Sequence, residues 1–130
     1  MSRAVVVSNR GPLSYRRGPD GALVAGRGAG GLVSGLAPVV VEAEALWLAA
    51  ALTDDDRAAA GSLVEADGVR ASLVVVEPEM LRLAYDEVGN GVLWFLHHGL
   101  FELSRAPSFD RAWTNAWQAY RHYNDAFAVA

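Results

Sequence analysis

Residues 26–41 read GRGAGGLVSGLAPVVV, and the change from glycine to apolar spacing within them decides the fold. Leu32, Val33, Leu36, Val39 and Val40 recur at intervals of three and four, the period of an α-helix, so a helix is predicted from about Gly31. Pro38 lies inside it and predicts a kink or early end, because proline lacks the amide and crowds the preceding turn. Upstream, AVVVSN (4–9) is a β-branched run closed by polar residues. It predicts a buried strand, with an N-terminal partner or at a sheet centre.

Between strand and glycines, RGPLSYRRGPDGALVA (10–25) carries Gly-Pro and Pro-Asp-Gly turn signals. Leu13–Tyr15 and Ala22–Ala25 are expected to pair as a small hairpin around Asp20-Gly21. Downstream, EALWLAAAL (44–52) predicts a strand and TDDDRAAAG (53–61) a helix capped by Thr53. VRASLVVVEP (69–78) predicts a strand stopped by Pro78, and PEMLRLAYDEVG (78–89) a helix with proline at its first position. Asn90–Leu100 is expected to be a second apolar helix or an extended turn. In FDRAWTNAWQAYRHYNDAFAVA (109–130), Trp113, Ala116, Trp117, Tyr120, Tyr123 and Phe127 form a stripe at helical spacing, with Trp113 and Trp117 expected in the core. That stripe runs to the last residues without a glycine cap, which reads as a helix cut short. Strands alternating with helices indicate an α/β fold, a sheet layered by helices and mixed because of the early hairpin.

A chain of 130 residues with 52% hydrophobic composition suits one domain. It has no cysteine, hence no disulfide framework and no thiolate nucleophile. No run of 18 or more apolar residues occurs, so a soluble, cytoplasmic protein is expected, with no membrane partner. The net charge of -4 is uneven: residues 1–41 carry five arginines against one acid, and the rest six arginines against fourteen acids. The glycine-rich end is therefore the end that favours anions. With a pI near 5.2 and no basic stripe, nucleic acid is not an expected partner.

Gly26, Gly28 and Gly31 satisfy the spacing G-x-G-x-x-G. A dinucleotide fingerprint should directly follow the first strand and precede an acid by about twenty residues. Here the strand ends near Ser8, Glu42 and Glu44 come too early, and Asp54 falls in a helix cap. A Walker A loop is excluded because Leu32 and Val33 stand where Lys and Ser/Thr belong. Two readings remain open: a flexible loop entering a helix, or amides at the positive end of a helix dipole offered to a diphosphate. Arg10, at the carboxyl end of the first strand, is placed where open α/β sheets bind ligands and could grip a phosphate. Tyr85 and Trp94 are aromatics with a polar edge, suited either to the core or to a sugar face. His97 and His98 diverge by about 100° on a helix, so no metal site is expected, and Asp54–Asp56 read as a solvated helix start.

Taken together, VVVSNRGP, GAGGLVSGL, YDEVGNGVLWFLHHG and WQAYRHYNDAFA resemble, in order and spacing, the trehalose-phosphate synthases, the retaining GT-B glycosyltransferases of family 20. The resemblance implies a Rossmann-like sheet, residues 1–130 being part of the N-terminal, acceptor-side domain and the donor-binding domain lying outside this chain. It implies transfer of glucose from a nucleotide-glucose donor to glucose 6-phosphate or a related sugar-phosphate acceptor, with no metal or other cofactor. Arg10 matches the arginine that binds the acceptor phosphate. Gly31, with Gly30 beside it, matches the glycine that meets the donor diphosphate, and Tyr85 and Trp94 match acceptor-sugar aromatics. No catalytic residue is carried over, since the family's later acid, histidine and basic residues have no counterpart here. Two positions depart from the family pattern. Ala50 replaces the second tryptophan of the stretch containing Trp47, and Phe95 replaces the proline after Trp94. The 130 residues alone are expected to be inactive, and an unpaired sheet edge makes self-association an expectation. A stand-alone, non-catalytic sugar-phosphate-binding module is the alternative.

Overall fold

In a computed structural model describing residues 4–130, the strand expected from AVVVSN forms as Val5–Ser8 (β1). The hairpin forms from Leu13–Arg17 (β2) and Leu23–Arg27 (β3), with Tyr15 opposite Ala25. Its turn closes through the Gly21 amide donating to the Gly18 carbonyl, with Gly21 at φ +78°. The helix after the glycines spans Gly31–Glu42 (α1) and continues past Pro38. It ends in a Schellman arrangement: Glu44, at φ +48°, donates to Val41, and Ala45 donates to Val40.

Leu46–Ala50 (β4), Asp54–Ala59 (α2), Val64–Ala66 (β5) and Val69–Val74 (β6) complete the first of two compact units, which ends at Val75. Its main sheet has the order β1-β4-β6-β5, with β1, β4 and β6 parallel and β5 antiparallel to β6. Two expectations are corrected here. The early hairpin makes a separate two-stranded sheet, so the main sheet is mixed because of β5. That short strand went unread, although Asp67 and Gly68, both at positive φ, form the Asp-Gly turn that signals a hairpin. And β1 is not buried: it is an edge strand among the described residues, with Val5 and Val7 about half exposed.

The core of this unit packs α1 on the sheet through Val33, Val40, Ala45, Trp47, Ala71 and Leu73. Of the predicted helical stripe, Val33 and Val40 are buried while Leu32 and Val39 face outward. The residues of β4 from Trp47 to Ala50 are all buried, as befits a strand flanked by two others. Thr53 caps α2 with a reciprocal pair: its hydroxyl accepts from the Asp56 amide, and the Asp56 carboxylate accepts from the Thr53 amide.

The second unit, Val76–Val129, is helical. Pro78–Arg82 (α3) runs without a break into a π-helical stretch, Leu83–Leu93, and then into Trp94–His97 (α4). The expected second helix from Asn90 is therefore the continuation of the first. Asp110 caps Arg111–Ala128 (α5), which buries Ala116, Tyr123 and Phe127. Trp113 is half-buried and Trp117 exposed, stacked in a row with Tyr120 rather than placed in the core. Among the described residues no helix is long and apolar enough to cross a membrane.

Candidate functional site

Arg10 leaves the carboxyl end of β1, and its backbone is held from two sides. The Ser8 hydroxyl donates to the Arg10 carbonyl at 2.6 Å and accepts the indole N–H of buried Trp47 at 2.8 Å. The Ala50 amide, at the end of β4, donates to the neighbouring Asn9 carbonyl. The Arg10 side chain is exposed at the mouth of a cavity of about 280 Å³, lined also by Gly11, Gly28, Ala29, Thr53 and Asp56. Two parallel strands thus end at the loop that enters α1, the place where an open α/β sheet holds its ligands.

The glycines divide by task. The Gly28 amide donates to the Pro12 carbonyl at 2.6 Å, and a side chain there would run into the Gly11 carbonyl. A side chain on Gly11 would in turn meet Ala49. These two glycines allow two backbone segments to touch. Gly30 has φ +124°, a conformation open essentially only to glycine, and turns the chain into α1. Gly31, the first helical residue, has open space where a Cβ would stand. No side chain caps α1, and its first turn carries no acid, so no side chain answers the positive end of its dipole. Gly28 and Ala29 line the Arg10 cavity, whereas Gly30 and Gly31 stand just beyond its lining.

Asp54–Asp56 are not simply a solvated helix start. Asp54 is solvated and pairs with Arg57, and Asp55 pairs with Arg17. Asp56 is buried, and its carboxylate accepts from the Tyr15 and Thr53 amides. A larger cavity, of about 800 Å³, lies between the hairpin, α1 and the β5–β6 turn, lined in part by Leu13, Arg27, Val33, Ser34 and Asp67. It contains none of the residues expected to bind ligand.

Tyr85 and Trp94 belong to the second unit, on the helical run from Pro78 to His97. Tyr85 is half-buried near Tyr123, whose hydroxyl is pushed well above the ordinary tyrosine range by burial and by Tyr85. Trp94 is 45% exposed. Its ring stacks on His98 with centroids 4.1 Å apart, and His98 Nδ1 donates to the Trp94 carbonyl at 2.7 Å. The sequence signal for this pair is the spacing of four residues, which puts His98 one turn beyond Trp94. Phe95 meets the edge of Trp94 and carries Arg105 over its own ring at 4.1 Å. Among the described residues no group of three or more His, Cys, Asp or Glu could hold a metal ion.

The model of glycosyltransferase family 20 matches residues 2–130. The chain belongs to glycosyltransferase family 20. Among curated family 20 relatives, the trehalose-6-phosphate synthase of Mycobacterium sp. (strain KMS) is 32% identical over 126 residues, covering 97% of this chain and 24% of that protein. A solved structure described as trehalose-6-phosphate from E. coli bound with UDP-2-fluoro glucose is 26% identical with a TM-score of 0.59, covering 95% of this chain and 23% of that one. The alpha,alpha-trehalose 6-phosphate synthase of Burkholderia multivorans is 26% identical with a TM-score of 0.55, covering 99% and 25%. The chain thus spans about a quarter of the length of these family 20 proteins. Its mixed α/β architecture, with a mainly parallel sheet, is theirs.

Proposed function

We propose that this chain is the N-terminal, acceptor-side part of a retaining glycosyltransferase that moves glucose from a nucleotide sugar to glucose 6-phosphate or a related sugar phosphate. The observation that carries the reading is the convergence of Arg10 with the Gly28–Ala29 loop in one cavity, just before a helix whose N-terminus no side chain caps. Arg10 is assigned to the acceptor phosphate, where a guanidinium offers paired donors to two oxygens. The amides at Gly30 and Gly31 are assigned to the donor diphosphate, stabilising charge that grows as it leaves. Tyr85 and Trp94 are assigned to the acceptor sugar, orienting it by their ring faces.

The structural relative described with UDP-2-fluoro glucose supports a uridine diphosphate donor. The rest of the relatives' length would supply the opposing half of the cleft, so the 130 residues alone should release no nucleotide. We place the protein in the cytoplasm without nucleic-acid or membrane partners, and the open edge of β1 supports self-association.

Calorimetric titration with glucose 6-phosphate tests the phosphate role. Arg10→Ala should bind at least tenfold more weakly than the parent chain, with Arg10→Lys between them. Equal binding by all three would remove Arg10 from that role.

A further inference from the structure

Tyr85 and Trp94 are nine residues apart. On an α-helix, with about 100° per residue, nine steps would leave the two side chains about 180° apart, on opposite faces. The stretch Leu83–Leu93 between them is π-helical, its amides reaching back five residues. At about 4.4 residues per turn, nine steps close two turns to within about 20°. Both aromatics therefore project from one face, two turns apart.

Burial follows the wider period. Ala84 and Val88 are buried and Leu93 half-buried, while Glu87 and Gly91 are exposed. At π spacing the first three share a side and the last two lie opposite. At α spacing Gly91 would sit beside Ala84, and Leu93 across from it. The ion pair between Arg82 and Glu87 at 2.8 Å, five residues apart, is a second mark of the same register, since an α-helix turns such a pair well away from one another.

The sequence feature that admits this register is glycine. A Cβ on Gly91 would stand 3.0 Å from the Asp86 carbonyl oxygen, five residues back, and one on Gly89 would stand 3.3 Å from that of Ala84. A side chain at Gly91 would press on the acceptor to which its own amide points, and moving to the carbonyl four residues back relieves the contact. Glycine also lowers the advantage of the α-helix relative to alanine. π segments inside helices are frequent at functional sites.

We infer that Gly91 is a positioning residue for acceptor-sugar binding: by admitting the π register it brings Tyr85 and Trp94 to one face, where a sugar can meet both. His98, stacked beneath Trp94, holds the ring on that face. This rests on the assignment of the two aromatics to the acceptor sugar.

NMR of the 130-residue chain reads the register directly, through contacts between the α-proton of each residue and the amide proton five residues on, across 84–93. Calorimetry with glucose 6-phosphate reads its use. The parent chain and Gly35→Ala, a site where a Cβ meets nothing, should keep the five-residue contacts and bind alike. Gly91→Ala should stay folded, show four-residue contacts instead, and bind at least fivefold more weakly. Retained five-residue contacts in Gly91→Ala would overturn the inference. So would a shifted register with unchanged affinity when Trp94→Ala weakens binding, an outcome that leaves the sugar assignment standing. Unchanged affinity in both Tyr85→Ala and Trp94→Ala, or no binding by the parent, would overturn the sugar assignment and the positioning role with it. If Gly91→Ala does not fold, Gly89→Ala, with the milder contact, is read by the same criteria.

Discussion

The Asp56 carboxylate accepts the Tyr15 amide at 2.6 Å, joining α2 to a hairpin strand 41 residues earlier. Its other oxygen accepts the Thr53 amide at 3.1 Å, so one buried side chain both caps a helix and anchors the hairpin. Replacing it with alanine leaves two amides short of an acceptor. Asp56→Ala should cost about 2–4 kcal/mol of stability, and Asp56→Asn, which keeps one carbonyl oxygen, about half of that. Urea denaturation checks both, and a loss below about 0.5 kcal/mol for Asp56→Ala would show that the carboxylate is dispensable.

Ser8 links the core to the proposed phosphate site. Its hydroxyl lies between the Trp47 indole and the Arg10 carbonyl. Ser8→Ala strands a buried N–H and should cost about 1–3 kcal/mol. It should also weaken glucose 6-phosphate binding several-fold, because Arg10 loses a tether. Ser8→Thr should restore both properties, and a variant that loses stability but keeps full affinity would separate Ser8 from the site.

Gly28 and Gly31 are expected to respond in opposite ways to the same substitution. Gly28→Ala drives a methyl into the Gly11 carbonyl and should destabilise by roughly 1–3 kcal/mol, the cost of overpacking. Gly31→Ala meets open space and should leave the melting temperature within a degree or so of the parent, or raise it, since alanine suits a helix. Any loss of nucleotide-sugar binding in Gly31→Ala, measured on a chain carrying the rest of the relatives' length, then reports on the diphosphate contact alone. Thermal melts that rank the two variants the other way would contradict the division of tasks among the glycines.

Asp110 sets an acid-sensitive cap. The Trp113 amide, then the Ser108 hydroxyl, bond to its carboxylate and hold it below the ordinary aspartate range. A lowered carboxylate stabilises the folded state when ionised, so its contribution is complete above the unfolded value of about 3.9 and fades as pH falls through the lower folded value. Helical circular dichroism should therefore decline from pH 5 toward pH 2 more steeply in the parent than in Asp110→Asn. Parallel titrations of the two would dismiss Asp110 as a source of the acid sensitivity.

The elements were legible wherever their cause was local. The starts of α1 and α3 follow from glycine and proline at their first positions, that of α2 from its threonine cap, α5 from its aromatic stripe, and β1, β4 and β6 from short apolar runs. The unread strand β5 has only three residues, too short for alternation to declare itself, and only its Asp-Gly turn marked it. Trp117 satisfies the helical stripe but faces outward, because a stripe wide enough to include Trp113, Trp117, Tyr120 and Tyr123 exceeds the face that α5 buries. The places of Arg10 beyond the end of β1 and of Gly30 and Gly31 at the start of α1 were legible from position alone. The need for glycine at 28 and the service of His98 to Trp94 were not, since each depends on what lies opposite.

By itself the sequence determined most of the strands and helices, the excess of positive charge at the glycine-rich end and membership of a glycosyltransferase family, all of them properties of residues near one another in the chain. Tertiary structure decided that β1 lies at an edge, that Asp56 is buried rather than solvated, and that Gly28 meets Gly11. It also decided that the helix carrying Tyr85 and Trp94 takes a π register. Period and capping express backbone preferences over a few residues, whereas burial, close approach and helical register are settled by competition among neighbours brought together only on folding.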